Sequence, residues 1–542
     1  MSSANMEPTT TRLARGGALS LAGAVSAGTL GLAMVVVVAH VYPQQVAGAF
    51  FAATSLFVIL GAVSGLGCDA GLVRWLPRHL ALGDPAAARR TVPIALVPVL
   101  VMACVAAVAM MVAAPWLADV VDGAHPAEAT VMLRVLAVFL PIAAVHDGLL
   151  AATRGHSTMR PTVLIEKIFR QAAQVAGVLV ASLVPGHPAA LAFAWGFPYL
   201  PGLLVAAVWY GRLARHAGHD PRLHTGTRGD HPAEAASDVD ARSRRLVREF
   251  WSYTGPRAIA QISQTALQRA DIVLIAALAS PRDAAVYTAA TRFMVIGQLG
   301  TQAVQQVMQP VISRLLTLSD TVGAQRVFAL STTWSIALTW PVHLTVATSA
   351  PAYLGFFGPG YADAGQAATV TLALAMLVAT TSGPVDVMLL MAGRSGLSLA
   401  NNAAALAVNL TLNLLLIPGH GLVGAAVAWA AALLTRNVLP LVQVRRMLNM
   451  TPAGHGLLWA ASSALLGFAA LPLLARAGLG TGLGAVSAGL LPGAAVYAAL
   501  LWIGRRRLGM DAFTSLLPGR RGTEPLPPAA DVPMRSVDVQ GS

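Results

Sequence analysis

Arg257, Gln261, Gln264 and Gln268 follow one another at spacings of four, three and four residues. At 100° per residue an α-helix gathers them within about 60° of one another, as a single polar stripe. Gln298, Gln302, Gln305 and Gln309 repeat the spacing further along. Arg269 and Asp271 adjoin the first stripe, and Thr291 and Arg292 precede the second. An amide side chain donates and accepts hydrogen bonds at once. A guanidinium suits bidentate contact with phosphate. These are the residue types of a binding wall. No P-loop, nucleophile elbow or zinc motif accompanies them, so the expectation is a protein that is not an enzyme and needs no metal or cofactor.

Other ionisable residues stand in equally apolar surroundings. Asp147 follows His146. Glu166, Lys167, Arg170, Gln171 and Gln174 form a cluster, and Asp386 and Arg436 each stand alone. Asp147, Glu166, Arg170, Asp271 and Asp386 are candidates for ion coupling or salt bridges. Glu166 and Arg170 have the i, i+4 spacing of a helical ion pair. The other reading of that cluster is snorkelling toward a membrane surface.

The elements that must carry these residues are membrane spans. Of 542 residues, 56% are hydrophobic and only 11% are charged, against about 25% in soluble domains. Mean hydropathy is +0.66. A soluble enzyme, a disordered chain and a disulfide scaffold are excluded. Fourteen apolar segments can be drawn, from Gly17–His40 to Gly480–Ile503. Each is long enough to cross about 30 Å of hydrocarbon as a helix, the form that satisfies its own backbone amides. The first is too long for a secretory leader and reads as a signal anchor. The two amide stripes fall in the seventh and eighth segments, Phe250–Ala279 and Ala284–Pro310. The fold expected is an all-α polytopic membrane protein.

Charge sets the orientation. Of the 36 Lys and Arg, 27 fall in the terminal arms and the loops after even-numbered segments, 2 in the opposite loops and 7 inside segments. That bias predicts cytoplasmic termini and accounts for the net charge of +13 without nucleic acid. Residues 212–249 form the longest polar stretch between spans. They read as a flexible cytoplasmic linker whose histidines, His216, His219, His224 and His231, match no metal-ligand spacing. Residues 508–542 read as a disordered cytoplasmic tail.

The linker separates six segments from eight. Leu82–Asp84 with Arg90 matches Leu318–Asp320 with Arg326 at an offset of 236, and 149–154 resembles 389–394 at an offset of 240. These matches imply a duplication: an N-terminal six-helix lobe (1–211), a C-terminal six-helix lobe (250–446) and two extra helices (447–507). An even number of spans per repeat makes the lobes parallel, related by an axis along the membrane normal and able to rock about a central cavity. One or two glutamines would suit helix–helix hydrogen bonding. A full stripe on each of two helices, with arginines among them, fits a water-filled lumen that attracts anions.

Several stretches resemble a known family. Asn409–Ala426, with Asn409, Asn413, Pro418, Gly421 and Gly424, is similar to the eleventh-to-twelfth helix signature of polysaccharide-type (O-antigen or teichoic-acid-like) flippases. These belong to the multidrug/oligosaccharidyl-lipid/polysaccharide exporter superfamily. Phe356–Ala364 resembles their loop before helix ten, Arg269–Ile275 with 286–290 their seventh-to-eighth helix pattern, and Gly71–Pro77 the segment after helix two. The resemblance implies two six-helix lobes around a V-shaped cavity. It also implies transfer of undecaprenyl-diphosphate-linked oligosaccharide from the inner to the outer leaflet of the plasma membrane, for cell-surface polysaccharide. On that reading Arg257, Arg269 and Arg292 bind the diphosphate, and Gln261, Gln264, Gln268, Gln298, Gln302 and Gln305 bind sugars. Partners would be the lipid-linked glycan, membrane lipid, and glycosyltransferases or a polymerase of the same pathway. Two extra helices also resemble the peptidoglycan-precursor flippases, which keeps that substrate open. A cation-coupled multidrug antiporter of the same superfamily is the other alternative, supported by Asp147, Asp271 and Asp386 but not by the first segment, which has no Asp or Glu.

Overall fold

The structure is a computed structural model, which describes residues 7–183, 188–217, 236–480 and 482–509. Residues 218–235 of the linker, with three of its four histidines, and nearly all of the tail lie outside the described residues. Among the described residues there is no strand.

The first lobe comprises α1 (Glu7–Val41), α2 (Gln44–Gly65), the short α3 (Cys68–Ala81), α4 (Pro85–Val121) and α5 (Pro126–Gly155). It continues through a π-helical turn (Thr162–Arg170) into α6 (Gln171–Ala181), and ends with α7 (Pro188–Gly196) and α8 (Tyr199–Ala217). The second lobe holds α9 (Ala236–Leu278), α10 (Pro281–Thr317), α11 (Thr321–Thr348), α12 (Ala350–Gly355), α13 (Tyr361–Thr381), α14 (Val385–Met391) and α15 (Ser395–Leu448). After it come α16 (His455–Leu465), a π turn (Leu466–Ala470), α17 (Leu471–Leu479) and α18 (Leu483–Ile503). Grouped at their breaks, these helices correspond to the fourteen apolar segments. Nine stretches of described residues are long and apolar enough to cross a membrane. The shortfall has two causes: α15 joins two segments across Gly421, whose φ of 51° and ψ of −129° are not helical, and the polar stripes dilute others.

Lipid-facing surface is legible on α4. Val97, Val101, Val105, Val108 and Val112 recur every three or four residues and are all well exposed, while Ala95, Val99, Ala103 and Met110 on the opposite face are buried. Where one face meets hydrocarbon and the other meets protein, helices associate through close packing of small residues.

Two turns repeat between the lobes. Gly83 and Ser319, 236 residues apart, both take positive φ. Asp84 and Asp320 then cap the next helix, accepting from the amides of Ala87 at 2.9 Å and Gly323 at 2.8 Å. Ser157 and Gly393 form a second left-handed pair, also 236 apart, which moves that correspondence four residues from the offset of 240 read in the sequence.

Residues 236–249, expected as flexible linker, form the first turns of α9, where Arg245 and Glu249 pair at 2.9 Å. The lobes meet through α2. At the arginine-poor end, a Cβ on Gly48 would overlap the Pro281 carbonyl oxygen. Gln44 there donates to the Pro359 carbonyl at 2.9 Å and accepts from Arg282 Nε at 2.7 Å. At the arginine-rich end, Gly67 abuts Ala258, with 2.6 Å from a Cβ to the amide nitrogen. The C-terminal pair is tied to α11 by Tyr497 (to the Ala337 carbonyl, 2.6 Å), Trp334 (to the Leu508 carbonyl, 3.0 Å) and Arg476 (to the Thr348 carbonyl).

Candidate functional site

Between the lobes lies a central chamber of about 580 Å³. Its wall includes Lys167, Arg170, Gln171 and Gln174 from the π turn and α6, Arg269 from α9, and Arg292, Gln298 and Gln302 from α10. Asp147 is the one acidic residue in that wall. The π turn is why the fifth segment contributes so many polar groups. A π turn takes more residues per turn than an α-helix, so it shifts the register of the residues after it. Glu166 and Arg170, expected to pair at i, i+4, do not form an ion pair. Arg170 instead donates to the Tyr199 hydroxyl at 3.3 Å and to Gln174 Oε1 at 3.4 Å, with its guanidinium 4.8 Å from the Tyr199 ring centroid. Gln174 in turn donates to the Trp195 carbonyl at 2.9 Å.

Arg292 Nε donates to the Thr288 carbonyl at 3.1 Å, one turn earlier on its own helix, which leaves the end of the guanidinium free to turn to the lumen. No hydrogen bond or ion pair holds Arg269 or Lys167 among the described residues. Arg170 Nε and Gln171 Oε1 are buried without a partner. Four cations and one acid thus line one chamber, a charge balance that suits a polyanion.

A second chamber, of about 280 Å³, adjoins the first, and Gln298 and Gln302 line both. Gln264, Gln268 and Gln305 complete its amide wall, and Asp386, Arg436 and Asn437 join from the facing helices. Asp386 accepts from Ser398 Oγ at 2.5 Å. Gly383, at φ 68°, breaks the tenth segment between α13 and α14 and puts backbone on the chamber wall. Irregular backbone at membrane depth is tolerated where it lines a cavity. Five glutamines of the two stripes read from the sequence, 264, 268, 298, 302 and 305, line this chamber.

A third chamber, of about 310 Å³, lies toward the arginine-rich end and is lined by Asp69, Asp147, Glu166, Arg154, Tyr199 and Gln261. Gln261 therefore parts from the other glutamines. Asp147 is 62% exposed, with His146 Nδ1 2.8 Å away. Asp271 does not face the main lumen openly. It is buried in the second lobe, accepting from the Tyr287 hydroxyl at 3.0 Å and Asn413 Nδ2 at 2.8 Å. The Asn413 side-chain oxygen and both polar atoms of the Asn409 side chain have no partner there.

Arg257 is the residue that the structure does not bring in. It is exposed, its guanidinium stacks 5.5 Å from the Tyr253 ring, and Arg74 stacks on the same ring at 4.1 Å. Helical periodicity placed Arg257 in the stripe correctly, but the stripe leaves the lumen before it reaches that depth. Lys167 and Arg170 take its place, and only the π turn, which sequence periodicity does not show, assigns them.

Residues 13–316 match the sequence profile of the polysaccharide biosynthesis protein family. The chain belongs to that family. No curated protein matches the chain at a significant level. Solved structures similar to it include the lipid II flippase MurJ in an inward closed conformation, 12% identical over 89% of this chain and 98% of that one, with a TM-score of 0.67. An inward-facing multidrug resistance MATE transporter of the MOP superfamily is 15% identical over 81% and 94%, with a TM-score of 0.59. A MOP-superfamily transporter from Pyrococcus furiosus is 14% identical over 84% and 95%, with a TM-score of 0.50. At such identities the likeness establishes the fold: a multi-pass, all-helical membrane protein built as these transporters are.

Proposed function

We propose that this family member carries a polyisoprenyl-diphosphate-linked oligosaccharide, such as an undecaprenyl-diphosphate glycan, from the inner to the outer leaflet of the plasma membrane by alternating access. The observation that carries this reading is the pairing of chambers: Lys167, Arg170, Arg269 and Arg292 around one, and the glutamines 264, 268, 298, 302 and 305 around the next. A diphosphate bonded to a sugar has the same order of groups. Bare phosphate in hydrocarbon would cost tens of kcal/mol by a Born estimate, so a cationic path is required. The arginine-rich end, with both termini, faces the cytoplasm. Moving negative charge outward then gains about 2.3 kcal/mol per charge per 100 mV of inside-negative potential. Asp271, beside the unpartnered side-chain oxygens of Asn409 and Asn413, is the acid best placed to take a coupling cation.

The test is flipping of a fluorescent polyprenyl-diphosphate disaccharide in proteoliposomes. Transport that needs the protein, and that is lost in the Arg269→Ala, Arg292→Ala double variant, is the expected result. A double variant that flips at the full rate would remove the assignment. The acidic chamber of Asp69, Asp147 and Glu166 supports a second reading, export of cationic compounds in exchange for a cation. Uptake of a fluorescent organic cation by the same proteoliposomes, with no flipping of the glycolipid, would favour it.

A further inference from the structure

We infer that the amide chamber accepts a sugar bearing a negatively charged substituent, a carboxylate or a phosphate, and that Arg436 recognises it. The inference rests on the proposed flippase reading and narrows its cargo to acidic glycans.

Arg436 stands seven residues inside the end of the twelfth segment and nine residues before Arg445 at the arginine-rich end. At 1.5 Å per residue that is about 13 Å of helix, beyond the one-turn reach of a snorkelling side chain. A cation at that depth needs a partner or water. Arg436 forms no ion pair or hydrogen bond with a described residue, yet it lines the chamber. The one acid in the same wall, Asp386, is held by Ser398 at 2.5 Å and lies beyond 4 Å of the guanidinium, so no ion pair neutralises it. A second observation points to a guest: Ser335 lines the same chamber, is 1% exposed, and its hydroxyl has no partner.

The wall also says what kind of sugar face it meets. None of its residues is aromatic, so the chamber offers no ring on which the apolar face of a hexose could stack. It offers amides, hydroxyls, one carboxylate already engaged and one free guanidinium. Because Gln298 and Gln302 are shared with the diphosphate chamber, the acidic substituent belongs to one of the first sugars after the diphosphate. Asp386 keeps one oxygen for a hydroxyl of the same sugar.

The experiment compares three polyprenyl-diphosphate disaccharides that differ in the second residue only: a hexose, the corresponding hexuronic acid and the hexose phosphate. Binding to the purified full-length protein and flipping in proteoliposomes are both measured, for the wild type, Arg436→Gln and Arg436→Lys. The wild type should bind an acidic form at least tenfold more tightly than the neutral one, as a charge-assisted contact allows. Arg436→Gln should erase that preference by weakening the acidic forms at least tenfold more than the neutral one, and Arg436→Lys should restore part of it. Equal wild-type affinity for all three overturns the inference while leaving the flippase reading standing. So does an Arg436→Gln variant that weakens the neutral form equally, which would mark a structural role, or an acidic advantage abolished by phosphatidylglycerol in the micelle, which would assign Arg436 to a lipid headgroup. If no form binds or flips, the flippase reading fails and takes the inference with it.

Discussion

Arg269→Gln is the most discriminating change in the central chamber, because Arg269 supports nothing else. Arg170 holds Tyr199 and Gln174, so its removal would also loosen α6 and α8. Arg292 is tethered to Thr288. Arg269 has no described partner, and its loss leaves no protein group unpaired. The substitution should therefore read out the ligand contact alone. A hydrogen bond to a charged group contributes about 1.5–3 kcal/mol, or about 10–150-fold in Kd. Arg269→Gln should weaken binding of a polyprenyl-diphosphate glycan by that range. Its melting temperature should stay level or rise, since one cation is withdrawn from among three others in a partly desolvated wall. Arg257→Gln is the matched control. It removes an equal charge from the same helix, but from a position stacked on Tyr253 outside the chambers, and should change Kd less than twofold. The assay is equilibrium binding to detergent-purified protein, with flipping in proteoliposomes as the functional readout. A level Kd for Arg269→Gln together with a large loss for Arg257→Gln would refute the reasoning and move phosphate recognition to the arginine-rich mouth.

Three other outcomes are expected from the geometry. Gly48→Leu places a side chain where even a Cβ would overlap the Pro281 carbonyl; it should pry the lobes apart at the arginine-poor end, seen as faster labelling of a cysteine introduced at Gln44, and an unchanged labelling rate would show that this contact does not seal that end. Asp271→Ala orphans the Tyr287 hydroxyl and one Asn413 N–H, at about 1–3 kcal/mol for each, so the melting temperature should drop, whereas Asp271→Asn, which keeps an acceptor oxygen, should melt closer to wild type. Imposing 100 mV, negative inside, across proteoliposomes should favour outward movement of a diphosphate with about two charges by about 5 kcal/mol, and flipping indifferent to the sign of the potential would exclude the potential as drive.

The apolar segments, and the faces that put Gln264, Gln268, Gln298, Gln302 and Gln305 on one chamber, were readable, because each is a property of spacing along a regular helix. What spacing cannot show is where a helix stops being regular. Glu166 and Arg170 look like an ion pair at 100° per residue, and the π turn from Thr162 to Arg170 separates them, sending one to the acidic chamber and the other to the basic one. The break at Gly383 was hidden in a segment drawn through it, although Gly383–Pro384 is a breaker pair. Residues 236–249 misled in the opposite sense: they are charged all round, as a solvated connector would be, and still continue α9, because a helix already anchored by its apolar end propagates at little cost. Depth was the other missing quantity. Periodicity fixed the direction in which Arg257 points, but only the packing of α9 against α2 and α3 decides whether that direction still meets the lumen at its level.

The chambers also explain why the polar residues are distributed as they are between the lobes. Asp147 and Tyr199, from the first lobe, line both the acidic and the basic chamber, while Gln298 and Gln302, from the second, line both the basic and the amide chamber. The basic chamber is therefore assembled from both lobes, with Lys167 and Arg170 on one and Arg269 and Arg292 on the other, whereas the amide chamber belongs to the second lobe alone. Rocking the lobes apart would divide the four cations into two pairs and weaken their joint hold on a diphosphate, since the attraction of each charge falls with distance, while the sugar contacts would travel intact with the second lobe. On the proposed flippase reading, a carrier so divided would release its anionic group by separation of the lobes and keep its specificity in one wall, so substitutions at Arg170 and Arg269 should be felt in the rate of transfer and those in the amide wall in the choice of cargo.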